Sequence, residues 1–130
     1  MRVQLEGHAA FRAAERLTLD GEIELDALRV SLAACAGAED HATLMALDTS
    51  IHRFVHHAAA NPYLEETLSG YLNLSLRIWY LVLDRLPHLG ARVHEHTELL
   101  MAIRERDPER SRAIMAAHIA TFEREIRAVL

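Results

Sequence analysis

At 130 residues, 51% hydrophobic and 25% charged, with a net charge of −5, the chain is long enough for one domain with a buried core. The negative balance argues against a surface built to grip a nucleic-acid backbone, which needs clustered positive charge. No apolar run reaches membrane-spanning length free of charge and no signal peptide is read at the start, so a cytoplasmic protein is expected, and a single cysteine, Cys35, leaves no disulfide to form within the chain.

Only five Gly and three Pro occur, and good helix formers dominate, so an all-α chain is expected: one antiparallel bundle of about six helices. The first spans about 2–17, with Val3, Leu5, Ala9, Ala13 and Ala14 inward. Asp20 is placed to cap a second helix over about 22–36, carrying Ile23, Leu25, Leu28, Val30 and Leu32 and ending at Gly37. Asp40 caps the third, whose Leu44, Leu47, Ile51, Phe54, Val55 and Ala58 form one apolar stripe. It must stop near Asn61, because Pro62 disfavours helix at the preceding residue and suits the first turn of the next. The fourth helix, about 62–86, is the most apolar and reads as central, with a polar strip of Asn73, Arg77, Tyr80 and Asp84. The fifth spans about 91–106, with His96 among its inward residues. Asp107-Pro108 opens the last, whose stripe of Ile114, Met115, Phe122, Ile126 and Val129 includes His118.

The polar residues in these stripes carry the chemistry. Asp48 and His52 are four residues apart, hence stacked one turn apart on the edge of an apolar stripe. A carboxylate or imidazole turned into a core needs a partner, and a divalent cation satisfies both. Asp48, His52, His96 and His118, from three helices, are the candidate ligand set. Their imidazole and carboxylate donors suit zinc first, with nickel, manganese and iron as alternatives. The bland alternative is a set of core histidines hydrogen-bonded to carbonyls and to one another. Among the other histidines, His56 lies one turn beyond His52, while His94 should be more exposed than His96. His8, His41, His57 and His88 have no inward placement. Arg77 either sits on a solvated face or borders a cavity, where its planar fork suits a carboxylate.

Asp48-x3-His52, Asn61-Pro62, Glu95-His96 before Leu99-Leu100-Met101-Ala102-Ile103, Asp107, and His118 twenty-two residues after His96 fall in order, behind an opening Arg2-Val-Gln-Leu-Glu6 and Ala13-Ala14-Glu15-Arg16. This ordered set resembles the FCD domain, the effector-binding C-terminal domain of the FadR branch of GntR-type bacterial transcription regulators, and covers essentially the whole of residues 1–130. Ile51 stands where that family usually carries Phe. The resemblance implies an all-α bundle in which an Asp and three His hold a divalent metal beside a pocket for a small carboxylic acid. It also implies a homodimer, and DNA contact only through a winged helix domain that this chain has no room for. Arg77 and Asn61 are the candidate effector contacts. The expected function is therefore a metal-containing sensor, not an enzyme. The rivals are a metal-dependent enzyme acting on a small organic acid and a structural helical module.

Overall fold

The computed structural model describes residues 1–35 and 40–130; Gly37, the expected end of the second helix, lies outside them. Among the described residues there are seven α-helical segments and no strand: α1 (Arg2–Arg16), α2 (Leu19–Ala34), α3 (His41–Ala58), α4 (Pro62–Val82), α5 (Leu89–His94), α6 (His96–Arg104) and α7 (Pro108–Val129), with a 3₁₀ turn, Leu83–Arg85, after α4. The fold is the expected all-α bundle.

Side-chain caps set most helix starts. The Asp40 carboxylate accepts from the Thr43 amide at 2.7 Å, Asn61 from the amides of Tyr63 and Leu64, and Asp107 from that of Arg110, while Pro62 and Pro108 occupy first-turn positions that need no donor. The expectation for α2 was wrong at its start. Thr18, not Asp20, is the cap: its hydroxyl accepts from the Gly21 amide at 3.0 Å, so the helix begins at Leu19. The expected fifth helix is broken in two at Glu95. There the Val93 carbonyl accepts from Nδ1 of His96 at 2.8 Å, a side-chain bond that competes with the backbone ladder.

Cross-links between helices show antiparallel neighbours. Gly7 faces Arg112 and Ala116, and Arg106 reaches back to the Leu17 carbonyl, which orients α7 against α1. His41, Arg53 and His57 meet Leu83, Asn73 and Glu65 in turn, which makes α3 and α4 a hairpin.

The centre of the bundle is α1, not α4. Helix α1 packs most extensively on α7 and also touches α3, α4 and α6. Gly7, Ala9, Ala10, Ala13 and Ala14 are all buried; their small size lets neighbours come close. A Cβ on Gly7 would lie 3.3 Å from Cγ of Arg112. Helix α4 is amphipathic instead: Leu64, Leu68, Leu72, Trp79 and Val82 are buried, but Leu74 and Leu81 are 62% and 80% exposed. Ile23 and Val30 of α2, expected inward, are likewise on the surface, leaving Leu25 and Leu32 to anchor that helix.

Candidate metal centre

Four buried side chains converge where α3, α6 and α7 meet. Asp48 and His52 stack on α3, His96 is the first residue of α6, and His118 lies midway along α7; all are 4% exposed or less. Oδ1 of Asp48 is 3.6 Å from Nε2 of both His52 and His96 and 4.0 Å from Nε2 of His118, and the two Nε2 atoms of His52 and His96 are 3.3 Å apart. The three imidazole rings pack with centroids 4.3 to 5.6 Å apart.

The opposite edge of each ring faces an acceptor. Nδ1 of His96 donates to the Val93 carbonyl at 2.8 Å, and Nδ1 of His118 to the Glu95 carboxylate at 2.9 Å. Nδ1 of His52 faces Oε2 of Glu6 at 3.5 Å. A neutral imidazole has one N–H; placed on Nδ1 in all three rings, it leaves three Nε2 lone pairs facing one another and Oδ1 of Asp48. That oxygen is buried and has no hydrogen-bond donor. Lone pairs gathered without hydrogen need a cation. Donor atoms of a tetrahedral zinc site at about 2.0–2.1 Å from the ion are about 3.3 Å apart, close to the spacing here. The residues fit a divalent ion.

The titration behaviour of the cluster points to the same need. Burial opposes ionisation of Asp48, yet His52, and behind it His96 and His118, hold its carboxyl well below the usual carboxylate range. Burial likewise disfavours a charged His52, but the carboxylates of Asp48 and then Glu6 outweigh it and raise its pKa to about 10. His96 goes the other way, lowered to about 3 by burial and then by the neighbouring His118 and His52. Without an ion, one proton on His52 therefore serves as the cation between two carboxylates.

Of the six residues expected to form the site, the structure brings four together and leaves two elsewhere. Asn61 caps α4 with its side-chain oxygen. Arg77 is exposed on α4, the bland alternative for it, because the polar strip on which it lies faces outward. Sequence reasoning missed Glu6 and Arg2 of α1 and Glu95. Glu6 is fully buried, and its Oε1 accepts from Nε2 of His56 at 2.9 Å. Its place was readable, since it stands three and four residues before Ala9 and Ala10 on the same stripe. The other histidines behave as their positions suggested. His94 is half-buried with its ring on the Gly90 carbonyl, and His57 is exposed beside Glu65.

One cleft reaches the cluster and a second lies farther off. The first, of about 500 Å³, is lined by Glu95, Glu98, His118 and Thr121 among others. The second, of about 360 Å³, is lined by Arg2, Tyr71, Ser75 and Trp79. Trp79 packs on Phe122 and Phe122 on His118, so two aromatic rings stand between this second cleft and the cluster. Arg2 lies over the Trp79 ring, and its Nε and Nη2 atoms are buried without a hydrogen-bond acceptor.

A family model described as the FCD domain matches residues 1–121. No curated protein and no solved structure matches the chain.

Proposed function

Because this chain belongs to the FCD domain family, we propose that it is the ligand-sensing domain of a GntR/FadR-type transcription regulator, holding one divalent metal through Asp48, His52, His96 and His118 and binding a small carboxylic acid beside it. The observation that carries this reading is the convergence of three imidazole Nε2 atoms on a buried carboxylate oxygen that has no donor of its own. A bound divalent ion supplies a Lewis-acidic contact for a carboxylate and a link between three helices.

The residue contact for the acid is Arg2, not Arg77. Its guanidinium is largely buried at the cleft beside Trp79 and has two nitrogens without acceptors, and a carboxylate matches that planar fork. Oε1 of Glu6, 3.9 Å away, is the nearest charge on the metal side. Control of an attached winged helix domain requires the acid to bind two arrangements of the bundle unequally. Glu6 and Glu95, the carboxylates behind the cluster, are both engaged with imidazole nitrogens, which favours a sensor over an enzyme with a free base. Leu74, Ile78 and Leu81, exposed at helical spacing on α4, are the face assigned to a homodimer; a monomer by analytical ultracentrifugation would contradict that assignment.

The test is calorimetric titration of mono-, di- and hydroxycarboxylic acids into zinc-loaded, zinc-stripped, Arg2→Ala and Arg77→Ala protein. One acid should bind the loaded form and be recovered unchanged. Stripping should abolish binding, Arg2→Ala should weaken it about ten-fold, roughly 1.4 kcal/mol, and Arg77→Ala should leave it alone. Equal affinity in stripped protein, or turnover of the acid, would overturn the reading.

A further inference from the structure

Glu6 is the one fully buried charged side chain of α1, and its two oxygens face successive turns of α3. Oε1 is 2.9 Å from Nε2 of His56, and Oε2 is 3.5 Å from Nδ1 of His52. Water reaches none of the three side chains, each 1% exposed or less. The second contact is loose for an N–H···O bond, but neither Nδ1 of His52 nor Oε2 of Glu6 has another partner.

We propose that Glu6 is the positioning residue of the metal centre: it accepts the Nδ1–H of His52 on one oxygen and the Nε2–H of His56 on the other, so that His52 turns a bare Nε2 toward the ion. The proposal rests on the metal reading above. Each neutral imidazole has one N–H to place, and a carboxylate behind Nδ1 settles which nitrogen carries it. A carboxylate in that position also makes the ring a more basic ligand. Charge points the same way. Asp48 and Glu6 put two negative groups on either side of one ring in a dry core; Arg2, its Nε 3.9 Å from Oε1 of Glu6, offsets part of that charge, and a dication offsets the rest. His56 secures the geometry. Its own Nδ1 is buried without a partner, so the ring's one firm bond is to Glu6, and that bond fixes the plane of the carboxylate between two turns of α3. The neighbouring Glu95 stands to His118 as Glu6 stands to His52, with Oε1 2.9 Å from Nδ1. Two of the three imidazoles thus have a carboxylate behind them.

The donor atoms of Glu6, His52 and His56 also lie close enough together to hold an ion themselves. Filling that site alongside the first would require His52 to coordinate through both ring nitrogens and so lose its last proton. A neutral imidazole keeps that proton near pH 7, so the outer role is the one the geometry favours.

The experiment measures zinc affinity by competition with a chromophoric chelator and the protonation of His52 by ¹⁵N NMR of its ring, in intact protein, Glu6→Ala and Glu6→Gln. Intact protein should take one zinc and show hydrogen on Nδ1 of His52. Glu6→Ala should bind zinc about 10- to 100-fold more weakly, with the Nδ1 hydrogen lost to rapid exchange. Glu6→Gln should restore the Nδ1–H signal and part of the affinity. The amide oxygen accepts from His52, and the amide NH₂ donates to His56, whose free Nδ1 lets it take the other tautomer. A merely structural Glu6 would change melting temperature without moving the His52 signal. If Glu6→Ala does not fold, Glu6→Gln decides alone, and loss of Nδ1–H in that folded variant overturns the proposal. So does affinity in both variants within about three-fold of intact protein, well short of the usual outer-contact loss. Two zinc ions in intact protein and one in Glu6→Ala would make Glu6 a ligand and overturn it too. Intact protein that takes no zinc is a different failure, removing the metal reading itself.

Discussion

Replacing His96 by Ala removes a ring that is fully buried, with Nε2 3.3 Å from that of His52 and 3.6 Å from Oδ1 of Asp48. An ion that binds only the folded chain stabilises it by RT ln(1 + [L]/Kd), about 2.7 kcal/mol when free zinc is a hundred times Kd. Unfolding entropy of about 2.1 cal/mol/K per residue gives about 270 cal/mol/K for 130 residues. Zinc at that concentration should therefore raise the melting temperature by about 10 °C. Losing one of four ligands should weaken binding by on the order of a hundred-fold or more, since even an outer contact is worth 10- to 100-fold. Free zinc then sits near the new Kd, and the shift shrinks to about 1–2 °C. The cavity left by the ring lowers the melting temperature with and without zinc alike, so the zinc-induced shift within each variant isolates the ion. Scanning calorimetry of chelator-stripped protein, with and without buffered zinc, measures it. His94→Ala is the control, because that ring bonds only to the Gly90 carbonyl of its own helix. A full shift in folded His96→Ala, or an equal loss in His94→Ala, would refute the ligand assignment.

Metal-free protein should be most stable near pH 6.5. His52, raised from 6.5 to about 10, contributes stability fully present below pH 6.5 and lost as pH rises through 10; His96, lowered from 6.5 to about 3, must take up a proton on unfolding, so stability also falls as pH drops below 6.5. The lowered carboxyls of Asp48 and Glu6 steepen the acid side from their ordinary range downward, and thermal melts across pH should show His52→Ala flattening the alkaline side and, because His52 helps hold both carboxyls low, softening the acid side as well; an unchanged alkaline slope would contradict the His52 assignment. With zinc bound, the acid loss should begin at about pH 5–6, where protons compete for imidazole. Ala60, exposed at the end of α3, has φ 56°, a conformation that costs an L-residue about 1–2 kcal/mol. Ala60→Gly should therefore raise stability by about 0.5 kcal/mol after glycine's larger entropy loss, read as about a 2 °C rise in melting temperature; a fall would show that the left-handed turn is not strained.

Much of the candidate site was legible because each proposed histidine ligand lies on a stripe defined by large apolar neighbours: His52 beside Ile51 and Val55, His96 before Leu99 and Leu100, His118 between Met115 and Phe122. A polar residue inside such a stripe stands out. Helix α1 hid its role for the converse reason. Its buried face is Gly and Ala, which look weakly hydrophobic in sequence yet allow the closest packing, so the central helix was taken to be the bulkier α4. Glu6 passed unnoticed with it. The break at Glu95 depends on where the His96 ring finds an acceptor, a tertiary matter that local propensity does not encode. Arg77 and Arg2 illustrate the limit of residue type: both have a fork suited to a carboxylate, but only packing against Trp79 decides which one is enclosed.

The most direct test of the metal claim is X-ray absorption at the zinc edge of protein loaded with one ion per chain. Three imidazole nitrogens and carboxylate oxygen at about 2.0–2.1 Å, with no sulfur, are the predicted shell. A sulfur at about 2.3 Å, which would implicate Cys35, or fewer than two imidazoles around the ion, would contradict the assignment of Asp48, His52, His96 and His118.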